Sequence, residues 1–291
     1  MILLEPEQNT FDAIMVDLTH KCNMECANCY IPNRDIPDMD TQQLFDFVSK
    51  LPKKTFVRLI GAEATMRDDL FDIISTVKKL GHKVSLTTNG LKLGQLDYVK
   101  NLKTAGLRLV LLSMNGCLDD EVYKKLDCGK YANLKHRALV NLLDNRFIVN
   151  TGTIIAKGVN EHTIKDQVEL MNKYAVQYNV KIPPVVRLRT IATIGRSMGN
   201  DHTYDFNDFK EVVCEQLGIT KKYLSDNETV GIRNNIEGFV FKHNNIIIRL
   251  VDWQVNDEGV PDFGNEVRGR ITQDWKIAPF FHHVKENEYG Y

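Results

Sequence analysis

The chain has 291 residues, 43% of them hydrophobic and 26% charged, with a formal net charge of -1. That balance suits a globular protein with room for one barrel-sized core, and it offers no basic surface of the kind that grips nucleic acid nonspecifically. No run of about 18 apolar residues occurs, so no membrane span is expected. The six cysteines include three in one tight motif and read poorly as a disulfide framework. Met1-Ile2-Leu3-Leu4-Glu5 lacks the charged and long apolar regions of an export signal, and a cytoplasmic location is expected.

Strand and helix signals alternate along the chain. Residues 11–19 read as a strand feeding a cysteine-rich loop, and 31–40, with Pro32, Pro37 and several Asp, as a loop. Thr41 suits the N-cap of a helix over 42–51. A strand over 56–60 precedes a helix over 68–80, which carries the stripe Leu70, Phe71, Ile73, Ile74 and Val77 and ends at Gly81. Then come a strand over 83–87, a helix over 96–105, a strand over 107–113, a helix over 133–143 and a strand over 147–156. A helix over 161–178 and a strand over 185–194 complete six βα-type units. Beyond them, an apolar helical run spans 209–217. Phe239-Val240-Phe241 and 246–251 read as a hairpin joined by His243-Asn244-Asn245. Residues 259–264 are turn-rich. The expected fold class is α/β: a partial (β/α)6 TIM-type barrel over 1–200 with a C-terminal β-hairpin-containing extension over 201–291.

The stretch His20-Lys21-Cys22-Asn23-Met24-Glu25-Cys26-Ala27-Asn28-Cys29-Tyr30 organises the rest. Three soft thiolates in a C-x-x-x-C-x-x-C loop suit iron and sulfide. Three cysteines on a four-iron cube leave one iron open to another ligand. The competing readings are a zinc site with His20 as fourth ligand and packed thiols.

This stretch resembles the signature of the radical S-adenosylmethionine (radical SAM) superfamily. Gly61-Ala62-Glu63-Ala64-Thr65 is similar to the family's G-G-E-P element, with Ala62 and Ala64 as departures. Thr87-Thr88-Asn89-Gly90 and Ser113-Met114-Asn115-Gly116 resemble its third- and fourth-strand elements. The resemblance implies a [4Fe–4S] cluster on Cys22, Cys26 and Cys29, with S-adenosylmethionine (SAM) chelating the open iron. It implies that Gly61, Ala62 and Glu63 meet the amino group of SAM, and that Thr88, Asn89, Ser113, Asn115, Asn150 and Thr153 supply polar contacts on later strands. Tyr30 shields the cluster or approaches the adenine, unless it is loop packing. Arg187 and Arg189 lie two apart on the sixth strand and so share a face. One of them would meet a carboxylate, with Arg196 a weaker candidate; the other reading is a helix-facing pair.

The activity this implies is reductive cleavage of SAM to a 5′-deoxyadenosyl radical that takes a hydrogen atom from a C–H bond, most simply of a small molecule. A reductase or flavodoxin-type protein would supply the electron. Cys117 and Cys128 read as inert thiols or, in a peptide-modifying enzyme or epimerase, as hydrogen-atom donors; Cys214 reads as packed. No cysteine follows Cys214, so no auxiliary-cluster domain is expected. The class to set against an enzyme is a noncatalytic iron–sulfur carrier or binding module, which has no need of Glu63 and Asn89. The tail over 264–291, with Trp275, Phe280, Phe281, His282, His283, Tyr289 and Tyr291, is expected to fold back and wall the substrate chamber.

Overall fold

The computed structural model describes residues 3–31, 33–191, 195–197, 201–229, 239–252 and 268–280. The first six strands are β1 (Ala13–Asp17), β2 (Phe56–Ile60), β3 (Lys83–Thr88), β4 (Leu109–Ser113), β5 (Ile148–Ile155) and β6 (Val185–Thr190). The helices beside them are α1 (Thr41–Lys50), α2 (Leu70–Lys79), α3 (Leu96–Thr104), α4 (Asp120–Leu126), α5 (Ala132–Asp144) and α6 (Thr163–Gln177). Beyond them lie α7 (Phe206–Leu217), α8 (Lys221–Asp226), β7 (Phe239–His243), β8 (Ile246–Val251), β9 (Arg268–Ile271) and β10 (Ile277–Pro279). All described strands form one open 10-stranded sheet in the order β10-β9-β1-β2-β3-β4-β5-β6-β8-β7. The run from β9 to β8 is parallel, and β10 and β7 are antiparallel edges.

The expected α/β partial barrel is therefore present, and strands after residue 200 extend both of its edges. The predicted hairpin is β7–β8, turning at Asn244 with φ 54. Its second strand also docks in parallel on β6. The tail returns to the opposite edge, where β9 pairs with β1 and Leu4 exchanges backbone hydrogen bonds with Ile277. Trp275 packs against Phe47 of α1, with ring centroids 6.1 Å apart, on the helical side of the sheet. Residues 259–264, Phe281, His282, His283, Tyr289 and Tyr291 lie outside the described residues. Smaller differences are local. Asp40, not Thr41, caps α1 by accepting from Gln43 N at 2.8 Å. The short helices α4 and α8 carry too few apolar residues to announce themselves in the sequence.

Strand alternation divides the residues between two environments. On β5, Val149, Thr151, Thr153 and Ile155 are buried beneath the helices, while Asn150, Gly152 and Ile154 are half-buried and face the barrel lumen. Helical stripes such as Leu70, Ile73, Ile74 and Val77 on α2 complete the outer layer.

The β9–β1 junction is pinned by an ion pair. Arg270 Nε donates to Asp17 Oδ2 at 2.5 Å, with both side chains 2% exposed. Breaking such a pair leaves a charge buried and costs about 3–5 kcal/mol. Asp17→Ala should therefore lower unfolding stability by about that amount in a denaturant titration. A loss below about 1 kcal/mol would mean that the pair does not anchor the tail.

Candidate active site

The C-terminal ends of the parallel strands carry the predicted motifs, as in barrels generally. Beyond β1 the chain enters the cysteine loop, steadied where Thr19 Oγ1 donates to Asp38 at 2.6 Å and Ala27 N donates to Leu126 O at 2.9 Å. Cys22, Cys26 and Cys29 are half-buried free thiols lining one cavity. Burial pushes the Cys22 and Cys26 thiols up, and a bound metal would hold them as thiolates. Among the described residues no three His, Cys, Asp or Glu side chains converge on a single metal ion. Ligands to separate irons of one cube need no such convergence, whereas zinc does. His20 does not line the cavity; its Nδ1 lies 3.2 Å from Asn33 O. The residues fit a three-cysteine iron–sulfur cluster better than a zinc ion.

The second motif is fastened to the first. Gly61 has φ +136, and a Cβ there would lie 2.5 Å from Thr19 O, so only glycine allows this approach. Ala62 N donates to Thr19 O at 2.9 Å and Glu63 N to Lys21 O at 3.1 Å. Ala62 does not have positive φ, so alanine is accommodated at the first departure from the family element. Ala64 opens a 3-10 turn capped by Glu63, a position where proline is allowed but not required. The Glu63 carboxylate is 1% exposed and lines the cavity. It accepts from Thr65 N at 3.1 Å, Thr65 Oγ1 at 2.7 Å, Thr88 Oγ1 at 2.7 Å and Asn89 N at 2.6 Å. Asn89 Nδ2 donates to Asn23 Oδ1 at 2.8 Å and lies 3.9 Å from Cys22 Sγ, which closes the circuit to the cysteine loop.

The same cavity gathers Tyr30, Gly61, Ala62, Thr88, Ser113, Asn115, Arg187 and Arg189. Five other sequence expectations end elsewhere. Thr153 faces the helices, donating to Met114 O at 3.0 Å, because its strand phase is opposite to that of Asn150 and Ile154. Asn150 faces the lumen but lower down, where its Oδ1 accepts from Val185 N at 3.0 Å. Cys117 is 1% exposed beside α6, outside the cavity, and burial pushes its thiol up to about 12. Cys128 is exposed and does not line the cavity either. Arg196 faces the cysteine loop, not the cavity, with Nη2 on Glu25 at 2.6 Å.

Several cavity residues were not expected from the sequence. Lys135 on α5 is fully buried, with Nζ 3.0 Å from Ser113 O and 3.2 Å from Asp127 Oδ2. Asp127 is held in turn by Asn115 Nδ2 at 2.7 Å. The available signal was periodicity: Lys135 sits on the stripe of Ala138, Leu139 and Leu142, where a lysine demands a polar partner. Arg58 and Arg268 line the same cavity, Arg249 lines the lumen below it, and Phe280 stacks against Arg268 at 4.3 Å. Arg268 and Phe280 are the described residues of the tail that line the cavity.

A cysteine-loop barrel with this acidic hub defines a class, and the comparisons agree. Residues 16–171, just over half the chain, match the radical SAM superfamily, and the chain belongs to that superfamily. A GTP 3',8-cyclase of Clostridium perfringens (strain SM101 / Type A) is 26% identical over 243 residues, covering 78% of this chain and 70% of that protein. A 7,8-dihydro-6-hydroxymethylpterin dimethyltransferase of Methanocaldococcus jannaschii is 25% identical over 191 residues, 62% of this chain and 36% of that one. Among solved structures, Streptococcus suis SuiB bound to precursor peptide SuiA superposes with a TM-score of 0.63 at 13% identity, over 94% of this chain and 60% of that chain. Native anSMEcpe with bound AdoMet superposes with a TM-score of 0.51 at 17% identity, over 74% of this chain and 60% of that chain. The chain thus spans about three fifths of the length of these structural neighbours. Members of this superfamily are enzymes that use a [4Fe–4S] cluster and SAM.

Four donors converge on the two Glu63 oxygens. An amide there would turn an N–H towards one of them, with Asn89 N–H nearest at 2.6 Å. Glu63→Gln should therefore weaken SAM binding by about 1.5–3 kcal/mol, read by calorimetry with the cluster assembled. Equal affinity in variant and parent would reject Glu63 as a SAM contact.

Proposed function

We propose that this enzyme acts on an anionic small molecule held in the barrel lumen, with Cys22, Cys26 and Cys29 as cluster ligands. When bound, the cluster and SAM supply an electron and a 5′-deoxyadenosyl radical able to take hydrogen from an unactivated C–H bond. The chain's own residues supply position and dryness. Glu63 accepts from the amino group of SAM, and Lys135, beside Ser113 at the cavity wall, meets its carboxylate. Tyr30, Thr88, Asn89, Ser113 and Asn115 surround the remainder. A reductase or flavodoxin-type donor supplies electrons from outside. An iron–sulfur loop is best kept in a reducing compartment, and our reading is cytoplasmic; among the described residues no helix is long and apolar enough to cross a membrane.

The observation that carries the substrate reading is the lumen lining. Arg187 and Arg189 on β6, Arg58 on β2, Arg249 on β8 and Arg268 on β9 all face it. Arg187 and Arg249 are direct register partners on neighbouring strands. Guanidinium forks suit phosphate and carboxylate oxygens. The relatives named GTP 3',8-cyclase make a nucleoside triphosphate the first molecule to try. The extension over 201–291, through Arg249, Arg268 and Phe280, shapes the pocket in this reading. A thiol hydrogen donor finds no support, since Cys117 and Cys128 both lie off the cavity.

The test is anaerobic turnover of the reconstituted protein with SAM, a reductant and a panel of nucleotides, other phosphorylated metabolites, neutral analogues and peptides, read by mass spectrometry. A phosphorylated substrate should give a new product along with 5′-deoxyadenosine. Arg187→Met should then raise its KM roughly 10–100-fold, the loss of one charge-assisted contact, with a smaller change in kcat. Turnover confined to neutral molecules or peptides would contradict the reading.

A further inference from the structure

Beyond β6 the chain returns to the cysteine loop at Gly195. Its φ is +59, and a Cβ there would lie 2.5 Å from Cys29 O and 2.7 Å from Tyr30 Cα. Only a residue without a side chain permits this approach. The next residue uses it. Arg196 N donates to Cys29 O at 2.9 Å, and Arg196 Nη1 donates to Cys26 O at 3.2 Å. One residue thus holds the carbonyls of two of the three cysteines. Arg196 Nη2 also pairs with Glu25 at 2.6 Å, and Arg34, whose Nη2 lies 3.5 Å from Cys29 Sγ, approaches Glu25 from the other side at 4.0 Å.

We infer that Arg196 is a positioning residue for the iron–sulfur cluster, governing both how firmly the loop keeps it and how easily it is reduced. The inference rests on Cys22, Cys26 and Cys29 being the ligands. The Glu25 pair is not the main contact: its side chains are 62% and 34% exposed, and such pairs are screened by solvent. The carbonyl contacts matter more. A trans peptide is planar, so holding the carbonyls of Cys26 and Cys29 fixes the two peptide planes that follow those ligands. The guanidinium holds the first, and the backbone N–H, which every substitution at 196 tested below keeps, holds the second, so the side chain acts on retention through Cys26. Retention should depend on that alignment, because groups behind metal ligands set ligand direction and affinity. Reduction adds negative charge to the cluster, and a nearby guanidinium favours it. Removing Arg196 also leaves Glu25 without this partner, which shifts the balance the same way.

The test uses the reconstituted holoprotein without substrate. Iron loss to a chelator measures retention, and an EPR-monitored redox titration gives the midpoint potential. Arg196→Ala should lose iron roughly 10–100-fold faster and shift the potential to more negative values. Arg196→Lys keeps the charge but not the planar fork. It should restore most of the potential and little of the retention. Glu25→Gln/Arg196→Ala should recover part of the potential while retention stays poor. Parental behaviour of Arg196→Ala in both readouts would overturn the inference. If Arg196→Ala takes up no cluster, Arg196→Lys decides, and parental retention in that variant would overturn it too. Failure of the ligand assignment itself would look different: a Cys22→Ala/Cys26→Ala/Cys29→Ala protein would still bind the cluster.

Discussion

The arrangement depends on one buried carboxylate. Glu63 sits at the end of β2 and accepts four hydrogen bonds, two from Thr65 in its own turn and two from Thr88 and Asn89 at the end of β3. Burying a carboxylate costs several kcal/mol. Hydrogen bonds to a charged group return about 1.5–3 kcal/mol each, so four of them offset that cost. The carboxylate is then fixed in direction, not merely tolerated. The circuit continues through Asn89 to Asn23 and back through Thr19 and Lys21 to the Gly61–Glu63 turn. Shifting any of the three segments disturbs the other two.

Around that hub the barrel separates two kinds of interior. The layer between sheet and helices is apolar and closely packed. The lumen is lined by arginines, and the fold must also stabilise the charges it buries deepest. Asp17 meets Arg270 across β1 and β9, and Asp127 meets Lys135 between the loop after α4 and helix α5. Arg268 and Arg270 further stack near Phe280, at 4.3 and 5.1 Å from its ring. Such pairs add little net stability, but they fix geometry because misplacing either partner is expensive. The edges supplied by residues after 200 thus extend the sheet and bring charge into the lumen.

Much of this was legible in the sequence because the signals are local. A strand, a tight turn and a motif follow one another within a few residues at Cys22–Cys29, Gly61–Glu63 and Thr88–Asn89, and each lands in the cavity. The pairing of Arg187 with Arg189 was readable from period two, and the structure turns both inward. Thr153 failed on the same rule, because alternation gives the period of a strand and not its phase. Lys135 and Asp127 escaped because no local pattern announces that helix α5 and the loop after α4 will bury opposite charges against each other. Arg196 was legible only as a carboxylate contact, not as a partner of the cysteine loop. Arg196 lies 170 residues from the Cys26 carbonyl it holds. The extension was readable as a hairpin, but not as strands for both edges of one sheet, since edge pairing is set by tertiary contact.

The most direct test of the central claim looks at the metal itself. The reduced, reconstituted protein would be mixed with SAM carrying nitrogen-15 at its amino group and studied by pulsed electron–nuclear double resonance. A site in which Glu63 presents that amino group to the open iron predicts a clear nitrogen-15 hyperfine coupling, which Glu63→Gln diminishes. A cluster spectrum unchanged by saturating SAM, with no nitrogen-15 coupling, would contradict the account.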